Sequence, residues 1–230
     1  MAEQRVAFYD FDGTLVASNV VTRYAWFAKN HPSRLKAAWR YGKVLAGVPL
    51  WLGLDAYSRR TFNLVFYRQY KGLGEQWLRS KAYEMFEREI RPKVFQFAKA
   101  RVAADKAEGY RTVMISGGLD FAVQPAVEHF EFDDVLANRL KFASEVATGE
   151  VVEPLLAEQE KVAAMRDYCN LHGFKMEEAK AYSDSASDLP MLEAVGYPAV
   201  ASPDRGLREV AVERSWPIYD FKQGSSRQGP

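Results

Sequence analysis

The sequence predicts an α/β fold in which a parallel β-sheet is covered by helices and interrupted by an all-helical insertion. Two observations indicate the sheet: short apolar runs that end in polar residues, and helical stretches that alternate with these runs. A third observation indicates the insertion, because residues 16–89 keep a helical pattern without any strand between them. We therefore expect an open parallel sheet with a separate helical lobe.

Three strands of the sheet can be located by their apolar content and by the turn residues that follow them. They are predicted at residues 4–11, 111–115 and 179–183. The first stops at Asp12-Gly13, the second at Ser116-Gly117-Gly118 and the third at Asp184. Because the carboxyl ends of parallel strands share one edge of a sheet, we expect these polar residues to lie close together.

The remaining elements follow from periodicity and turn signals. Helices are predicted at residues 93–108, 121–130, 158–172 and 189–195, and a small antiparallel hairpin at 135–152 around Thr148-Gly149. Within the insertion, turns are predicted near residues 30–32, 47–49 and 72–74. We assign residues 1–16 and 90–230 to the core and 17–89 to a helical lobe, and expect the Gly/Ser/Gln-rich residues 222–230 to be disordered.

Composition excludes several classes of protein. With 230 residues, 48% of them hydrophobic, the chain can bury a substantial core, and its net charge of +1 lacks the basic excess of a dedicated nucleic-acid binder. The single cysteine, Cys169, cannot form an internal disulfide. Asp10 and Asp12 precede any apolar segment that could serve as a signal peptide, and the longest apolar run, residues 44–54, is too short to span a bilayer. We expect a cytoplasmic protein.

Charge is divided unevenly along the chain. Residues 17–89 hold 13 Lys/Arg against 5 Asp/Glu, and no acidic residue occurs between Gly13 and Leu54. Lys36, Arg40 and Lys43 recur at a spacing that places them on one helix face. Four of the five tryptophans also lie in this lobe, at positions 26, 39, 51 and 77.

Three interpretations of this basic, aromatic lobe remain open. Leu35, Ala38 and Trp39 can build the core of the lobe, with the basic residues on a solvated face. Alternatively, the positive charge attracts an anionic substrate, with Arg59 or Arg60 contacting the leaving group. In the third interpretation, the apolar run at 44–54 docks on an anionic membrane or accepts an acyl chain.

Two carboxylates at the end of the first strand suggest chemistry. Asp10 and Asp12 are two residues apart, so that both side chains can point to the same side of the sheet edge. One can then attack an electrophile while the other transfers a proton. Adjacent carboxylates need a neutralising cation, for which Mg²⁺ is well suited, and Asp184 and Asp188 supply further oxygen ligands. Roles as a strand-exit turn and as helix caps are the alternatives.

Polar groups near the other strand ends suit a phosphoryl group. Ser116 offers a hydroxyl, and Gly117 an unobstructed backbone N–H. Ser116 could instead cap the following helix. Lys161, near the start of a helix rich in acidic residues, is by itself typical of a solvated surface lysine.

These segments, taken in order, resemble the four-motif signature of the haloacid dehalogenase-like (HAD) phosphohydrolases over nearly the whole chain. They are Phe-Tyr-Asp-Phe-Asp-Gly-Thr-Leu at 8–15, Ile-Ser-Gly-Gly at 115–118, Lys161, and residues 182–192, which begin Tyr-Ser-Asp and contain Asp188. The helical lobe resembles the cap of the phosphoserine phosphatase-like branch, subfamily IB. The resemblance implies a Rossmann-like core with an inserted helical cap.

The resemblance also implies roles for individual residues in a Mg²⁺-dependent phosphomonoester hydrolase. Asp10 would be the nucleophile that forms an aspartyl-phosphate, and Asp12 the acid that protonates the leaving group and then the base that activates water. Mg²⁺ would be held by Asp10, the backbone carbonyl of Asp12, and Asp184. The residues that would bind the phosphoryl group or order the surroundings of the metal are Ser116, Gly117, Lys161 and Asp188.

One departure from the pattern concerns the substrate. Phosphoserine phosphatases are expected to have an acidic residue just after the first motif, and here that region offers Asn19. We therefore expect a small anionic or lipid-like phosphomonoester, contacted by Asn19, Arg59 or Arg60, and we disfavour phosphoserine. A phosphotransferase or phosphomutase using the same aspartate, and a non-catalytic phosphate-binding module, are the alternatives.

Overall fold

A computed structural model describes residues 5–222 and 226–227 and contains the predicted parallel sheet. Within these residues the main sheet has seven strands in the order β3-β2-β1-β6-β7-β8-β9, all parallel except β9. A separate antiparallel pair consists of β4 and β5. The strands are β1 Arg5–Asp10, β2 Tyr110–Leu119, β3 Asp134–Asn138, β4 Leu140–Ala143, β5 Val146–Val151, β6 Lys180–Ser183, β7 Tyr197–Ala201, β8 Ile218–Tyr219 and β9 Ser226–Arg227.

The central position of β1 in the sheet explains why its residues 6–9 are apolar. Its side chains alternate between the two faces of the sheet, so that Val6 and Phe8 join one core cluster while Ala7 and Tyr9 join the other. All four are fully buried. A parallel sheet covered on both faces needs apolar residues at every position of such a strand.

Nine α-helices are present in the described part of the chain, and five of them lie between β1 and β2, the first four in the helical insertion. Their aromatic side chains pack together, with the rings of Tyr24 and Phe66 5.8 Å apart and those of Phe27 and Tyr70 6.3 Å apart. The helical insertion is thus confirmed, while its limits at residues 17 and 89 stay a prediction. The helices are α1 Val20–Lys29, α2 Arg34–Tyr57, α3 Arg59–Tyr67, α4 Glu75–Met85, α5 Ala98–Ala107, α6 Asp120–Phe130, α7 Gln159–His172, α8 Leu189–Glu193 and α9 Arg205–Glu213.

The turn predicted at residues 47–49 is wrong, because α2 runs without interruption through Pro49. Gly47 and Trp51 explain why the chain stays helical there. A Cβ atom at Gly47 would lie 2.6 Å from the indole of Trp51, so glycine leaves room for this ring against the helix. Burial of Trp51 and Val44 in the lobe then offsets the hydrogen bond that proline cannot donate.

The predicted hairpin at residues 135–152 is wrong in its extent and in its turn. Residues 134–138 form β3, which pairs with β2 in the main sheet. The turn between β4 and β5 falls at Ser144 and Glu145, both of which have positive φ angles, so Thr148 and Gly149 lie within β5. Alternating side chains indicate strands, but they do not tell which partner a strand takes.

The orientation of α2 contradicts the interpretation in which Leu35, Ala38 and Trp39 form the core of the lobe. All three are exposed. Arg40 instead faces the lobe, where its guanidinium donates to the backbone carbonyls of Gln69 and Lys71 at 2.8 Å each. Hydrogen bonds to backbone carbonyls just after α3 therefore determine that the side of α2 that carries Arg40 faces the lobe.

The segment predicted to be disordered, residues 222–230, is described only at Lys222 and at Ser226–Arg227, and its remaining residues lie outside the described part of the chain. Ser226–Arg227 pair with β8 as an edge strand, and the disorder of the segment stays a prediction. Among the described helices, none has the length and apolar character needed to cross a bilayer.

A buried carboxylate ties the sheet to α5. The side chain of Asp105 is fully buried and accepts hydrogen bonds from the Tyr9 hydroxyl, from Arg101, and from Lys180 Nζ at 2.7 Å. The Tyr9 ring stacks on Tyr182 with centroids 4.4 Å apart, which joins β1 to β6 on the same face. Asp105 therefore neutralises two cations that hold two neighbouring strands and a helix together.

We expect Asp105→Ala to lower the free energy of unfolding by about 3–5 kcal/mol, because it removes the only fully buried carboxylate that pairs with Arg101 and Lys180 among the described residues. Glu108→Ala is the matched control, since Glu108 pairs with the same Arg101 and Lys180 but is 48% exposed. It should cost less than about 1 kcal/mol. Urea unfolding measures both, and equal losses would contradict this role of Asp105.

Candidate active site

The polar strand ends predicted from the sequence meet at one edge of the sheet. Asp10 ends β1, which lies between β2, carrying Ser116, and β6, which ends at Ser183 just before Asp184. The sheet order therefore brings the first, second and fourth motifs side by side. Burial of the strands leaves this edge as the place where polar side chains can gather.

Lys161 lies at the centre of the site and is not the surface lysine that its neighbours in sequence suggest. Its ammonium lies 2.7 Å from Asp10 Oδ1 and 2.8 Å from Asp188 Oδ1, and all three side chains are less than 10% exposed. The Ser183 hydroxyl donates to Asp188 Oδ2 at 2.8 Å. Asp188 thus anchors Lys161, and Lys161 holds one oxygen of Asp10.

Thr14 and Gly13 join Asp184 to the first motif. The Thr14 hydroxyl lies 2.9 Å from Asp184 Oδ1 and 3.2 Å from Asp10 Oδ2. Gly13 adopts a φ of +85°, and a Cβ atom there would lie 2.2 Å from Asp184 Oδ2. Only glycine satisfies both the backbone angle and the close approach of this carboxylate.

Arg23 is a site residue that the sequence analysis missed. Its guanidinium binds both oxygens of Asp12, with Nη1–Oδ1 at 2.5 Å and Nη2–Oδ2 at 2.6 Å, and its side chain is 1% exposed. The sequence does contain an indication of this role. Arg23 follows Val20 by three residues and precedes Phe27 by four, so its cation lies on the apolar face of the predicted helix. The helical insertion therefore orients the second carboxylate of the first motif.

The electrostatics of the site reflect crowded carboxylates. Burial raises the pKa of Asp10 from 3.8 to about 7, with Lys161 opposing the rise and Asp188 and Asp184 adding to it. Burial likewise raises the pKa of Asp184 to about 6. Burial opposes the charge of Lys161, but Asp10 and Asp188 outweigh it and raise the pKa of Lys161 above its ordinary value.

This charge balance fits a divalent cation. Four carboxylates (Asp10, Asp12, Asp184 and Asp188) face two cations (Lys161 and Arg23), which leaves a net charge of −2 when all are ionised. In residues 5–222 no three His, Cys, Asp or Glu side chains are arranged as a metal-binding group. Mg²⁺ is commonly bound by one or two carboxylates, with water and substrate phosphate as the other ligands. Asp10, Asp184 and the backbone carbonyl of Asp12 are the groups suited to hold it.

The second motif lies beside this cluster, although its glycines belong to a strand. Ser116 is fully buried and accepts a hydrogen bond from the Gly118 N–H at 3.0 Å, so it does not cap α6. The Gly117 carbonyl accepts from the Tyr67 hydroxyl and from the Asn138 amide. The sequence did not predict Tyr67 or Asn138 as site residues. Tyr67 adds a second contact from the helical insertion to the site.

A small cavity of about 70 Å³ opens over Asp10, Asp12 and Lys161 and is also lined by Asn19 and Arg59. Asn19 also caps α1, where its side chain accepts from the Thr22 N–H. Of the side chains predicted to contact substrate, Arg60 is not brought to the cavity. It pairs instead with Glu153 and Glu160, both at 3.4 Å.

We expect the metal-free protein to become less stable as the pH rises from 5 to 8. Asp10 and Asp184 have raised pKa values in the folded state, so their contribution to stability is present at low pH and is lost as the pH passes about 6 to 7. In a chelator, the melting temperature should be about 5 °C lower at pH 8 than at pH 5. Added Mg²⁺ should raise the melting temperature more at pH 8 than at pH 5.

Asp10→Asn provides the control for this pH dependence, because the amide does not titrate. Its melting temperature should vary less between pH 5 and pH 8 than that of the wild type. A wild-type melting temperature that rises over this range without metal would contradict the assignment of these carboxyls as the destabilising groups.

Comparison with known proteins agrees with the motifs. The family model described as haloacid dehalogenase-like hydrolase matches residues 7–193. A protein of Mycobacterium tuberculosis named as a probable phosphatase is 31% identical over 223 residues, covering 94% of this chain and 75% of that protein.

Solved structures share the fold at lower sequence identity. A Bordetella pertussis protein of unknown function has a TM-score of 0.81 at 21% identity, covering 95% of this chain and 99% of that one. A phosphoserine phosphatase solved as a phospho-aspartyl intermediate analogue has a TM-score of 0.67 at 20% identity, with 96% and 95% covered. The family match extends over all four motifs, and the chain belongs to the haloacid dehalogenase-like hydrolases.

Proposed function

We propose that this hydrolase is a Mg²⁺-dependent phosphomonoesterase that works through an aspartyl-phosphate on Asp10. The observation that carries the proposal is the buried contact of Lys161 with Asp10 and Asp188, with the Asp12 carboxylate two residues along the chain. A cation that fixes one oxygen of a buried aspartate leaves the other available for attack.

We also expect a cytoplasmic protein, because its single cysteine, Cys169, is free and buried.

In the first step, Asp10 attacks the phosphorus atom of the substrate. Lys161 holds Oδ1, so Oδ2 is the attacking oxygen, and the bond from phosphorus to the ester oxygen breaks as the new bond forms. Asp12, in its protonated form, gives its proton to the departing oxygen. The products of this half-reaction are the free alcohol and an aspartyl-phosphate.

In the second step, water attacks the phosphorus atom of the aspartyl-phosphate. Asp12 is now a carboxylate and accepts a proton from this water, which regenerates the Asp10 carboxylate and releases inorganic phosphate. Arg23 binds both oxygens of Asp12 and thereby orients this carboxyl group. Asp12 therefore serves both half-reactions, and the net reaction consumes one water molecule.

Charge neutralisation is shared between the chain and the metal. Mg²⁺, held by Asp10, Asp184 and the Asp12 carbonyl, would supply positive charge at the phosphoryl oxygens. Lys161 lies beside Asp10 and adds a second positive charge there. Gly117 lines the same cavity, and its backbone N–H and the Ser116 hydroxyl are the second-motif groups that we assign to phosphate binding.

Residues at the cavity rim support our expectation that phosphoserine is disfavoured as a substrate. Asn19 lines the cavity at the position where we expect an acidic partner for the ammonium of phosphoserine, and Arg59 lies nearby. An amide next to a guanidinium suits an anionic or neutral leaving group better than a cationic one. A phosphotransferase that passes the phosphoryl group to another hydroxyl would use the same residues, and it differs only in the acceptor.

We expect phosphate release to require both Mg²⁺ and Asp10. A panel should include phosphoserine, small sugar and alcohol phosphates, and lysophosphatidate, each measured with Mg²⁺ and with a chelator. Asp10→Asn should lose at least about 10³-fold in kcat, because the amide cannot form the covalent intermediate.

Three results would contradict this assignment. Wild-type turnover that Asp10→Asn retains would exclude Asp10 as the nucleophile. A folded wild type that binds Mg²⁺ and phosphate without turning over any substrate would favour the non-catalytic module. Added alcohols that become phosphorylated at the expense of free phosphate would identify a phosphotransferase.

We expect Arg23→Met to lower kcat by about 10- to 100-fold with a smaller change in KM, because Asp12 loses the bidentate contact that orients it. Arg23→Lys should restore part of kcat by returning the charge. Steady-state kinetics on the best substrate of the panel measures both.

Arg40→Met is the matched control for these variants. Arg40 is a half-buried arginine of the helical insertion that bonds to backbone carbonyls away from Asp12. It should lower the melting temperature and leave kcat near that of the wild type. Equal kcat losses in Arg23→Met and Arg40→Met would indicate a structural role for Arg23.

A further inference from the structure

The longest helix of the protein exposes large apolar side chains along much of its length. In α2 the exposed fraction is 81% for Leu35, 66% for Trp39, 60% for Leu45, 59% for Leu50 and 67% for Leu52. At 100° per residue these five positions fall within an arc of about 160°. Single exposed apolar residues are common on soluble proteins, but a row of this length indicates a surface that contacts another phase or molecule.

Positive charge borders this row, and negative charge is absent from it. Lys36 lies on one edge of the row, and Lys43 is close by, with its Nζ 5.5 Å from the Trp39 ring centroid. The first carboxylate of the helix is Asp55, which pairs with Arg59 at 3.0 Å. Leucines and a tryptophan flanked by lysines are the composition of helices that lie in the interface of an anionic membrane.

The same apolar row leads into the candidate active site. A cleft of about 410 Å³ is lined by the carboxylates Asp12 and Asp184 and by the apolar side chains of Val48, Trp51, Leu52 and Phe62. It adjoins the small cavity over Lys161, because Asp12 and Arg59 line both. Leu52 belongs both to the exposed face of α2 and to the cleft, so the two surfaces are continuous.

We propose that α2 lies on the surface of an anionic lipid bilayer and that the site takes the phosphomonoester of an amphiphile from that surface. The phosphate would lie over Asp10 and Lys161, and the apolar part would follow Val48 and Leu52 toward the bilayer. The substrate part of this proposal rests on the proposed phosphomonoesterase activity, whereas the membrane contact does not. A bilayer fits better than an acidic protein because α2 presents a convex row of apolar side chains with charge only at its edge.

Co-sedimentation with vesicles tests the membrane contact. The wild type should sediment with phosphatidylcholine vesicles that contain phosphatidylglycerol, and much less with phosphatidylcholine alone or at high salt, where charge is screened. Leu35→Glu/Trp39→Glu should reduce the bound fraction at least tenfold. Glutamate is a good helix former, so the helix should persist, and the melting temperature checks this.

Leu171→Glu is the matched control, because Leu171 lies in α7, is 80% exposed and is outside the proposed surface. It should bind vesicles as the wild type does. A wild type that stays in the supernatant, or a double variant that binds as strongly as the wild type, would overturn the membrane contact. A dimer that the double variant converts to a monomer, without vesicle binding by either, would also overturn it and identify the face as a self-association surface.

A pair of substrates tests the amphiphile. Lysophosphatidate in anionic vesicles and glycerol 3-phosphate in solution differ by one acyl chain, and we expect kcat/KM to favour lysophosphatidate at least tenfold. Leu52→Glu should reduce this ratio. Equal or better turnover of glycerol 3-phosphate would overturn the inference and leave the phosphomonoesterase in place. If neither these nor any other phosphomonoester is hydrolysed, the proposed function itself fails, and only the vesicle experiment then bears on α2.

Discussion

The site depends on the burial of like charges at one edge of the sheet. Four carboxylates share this edge with two cations, and such a group is tolerated in a folded protein only if most of its charge is compensated by ion pairs and hydrogen bonds. Lys161 meets this requirement for Asp10 and Asp188, and Arg23 meets it for Asp12. Lys161 lies in α7, which is far along the chain from β1, and Arg23 lies in α1 of the helical insertion. The packing of α1 and α7 against the sheet is therefore also what places the charges.

The helical insertion has two sides with different environments. On the inner side, Arg23 and Tyr67 reach the first and second motifs, so the orientation of the reacting groups depends on the contact between the insertion and the sheet. On the outer side, α2 leaves Leu35 and Trp39 in solvent. The helix turns its polar Arg40 inward because backbone carbonyls near the end of α3 need donors. In this first half of the helix, a hydrogen-bonding requirement thus outweighs the burial of Leu35 and Trp39.

Local patterns were sufficient for much of the fold, and they failed where a distant partner decided the outcome. The strands at β1 and β6 follow from apolar runs bounded by turn residues, and the helices α6 and α7 lie close to their predicted bounds. The turn expected at Pro49 did not form, because burial of Trp51 stabilises the continuous helix. Residues 134–138 alternate as a hairpin strand would, yet they pair with β2, since a strand sequence does not specify its neighbour.

The sequence by itself determined the parallel α/β class, the position of Asp10 and Asp12 at a strand end, and the order of motifs that identifies the family, because these depend on short-range pattern and spacing. Only the tertiary structure decided that Lys161 is buried between Asp10 and Asp188, that Arg23 binds Asp12, and that Arg60 pairs with glutamates instead of lining the cavity. It also decided which face of α2 meets solvent. The physical reason is that ion pairing and burial depend on residues that are distant in the chain, and the sequence of one element does not contain the chemistry of the surface against which it packs.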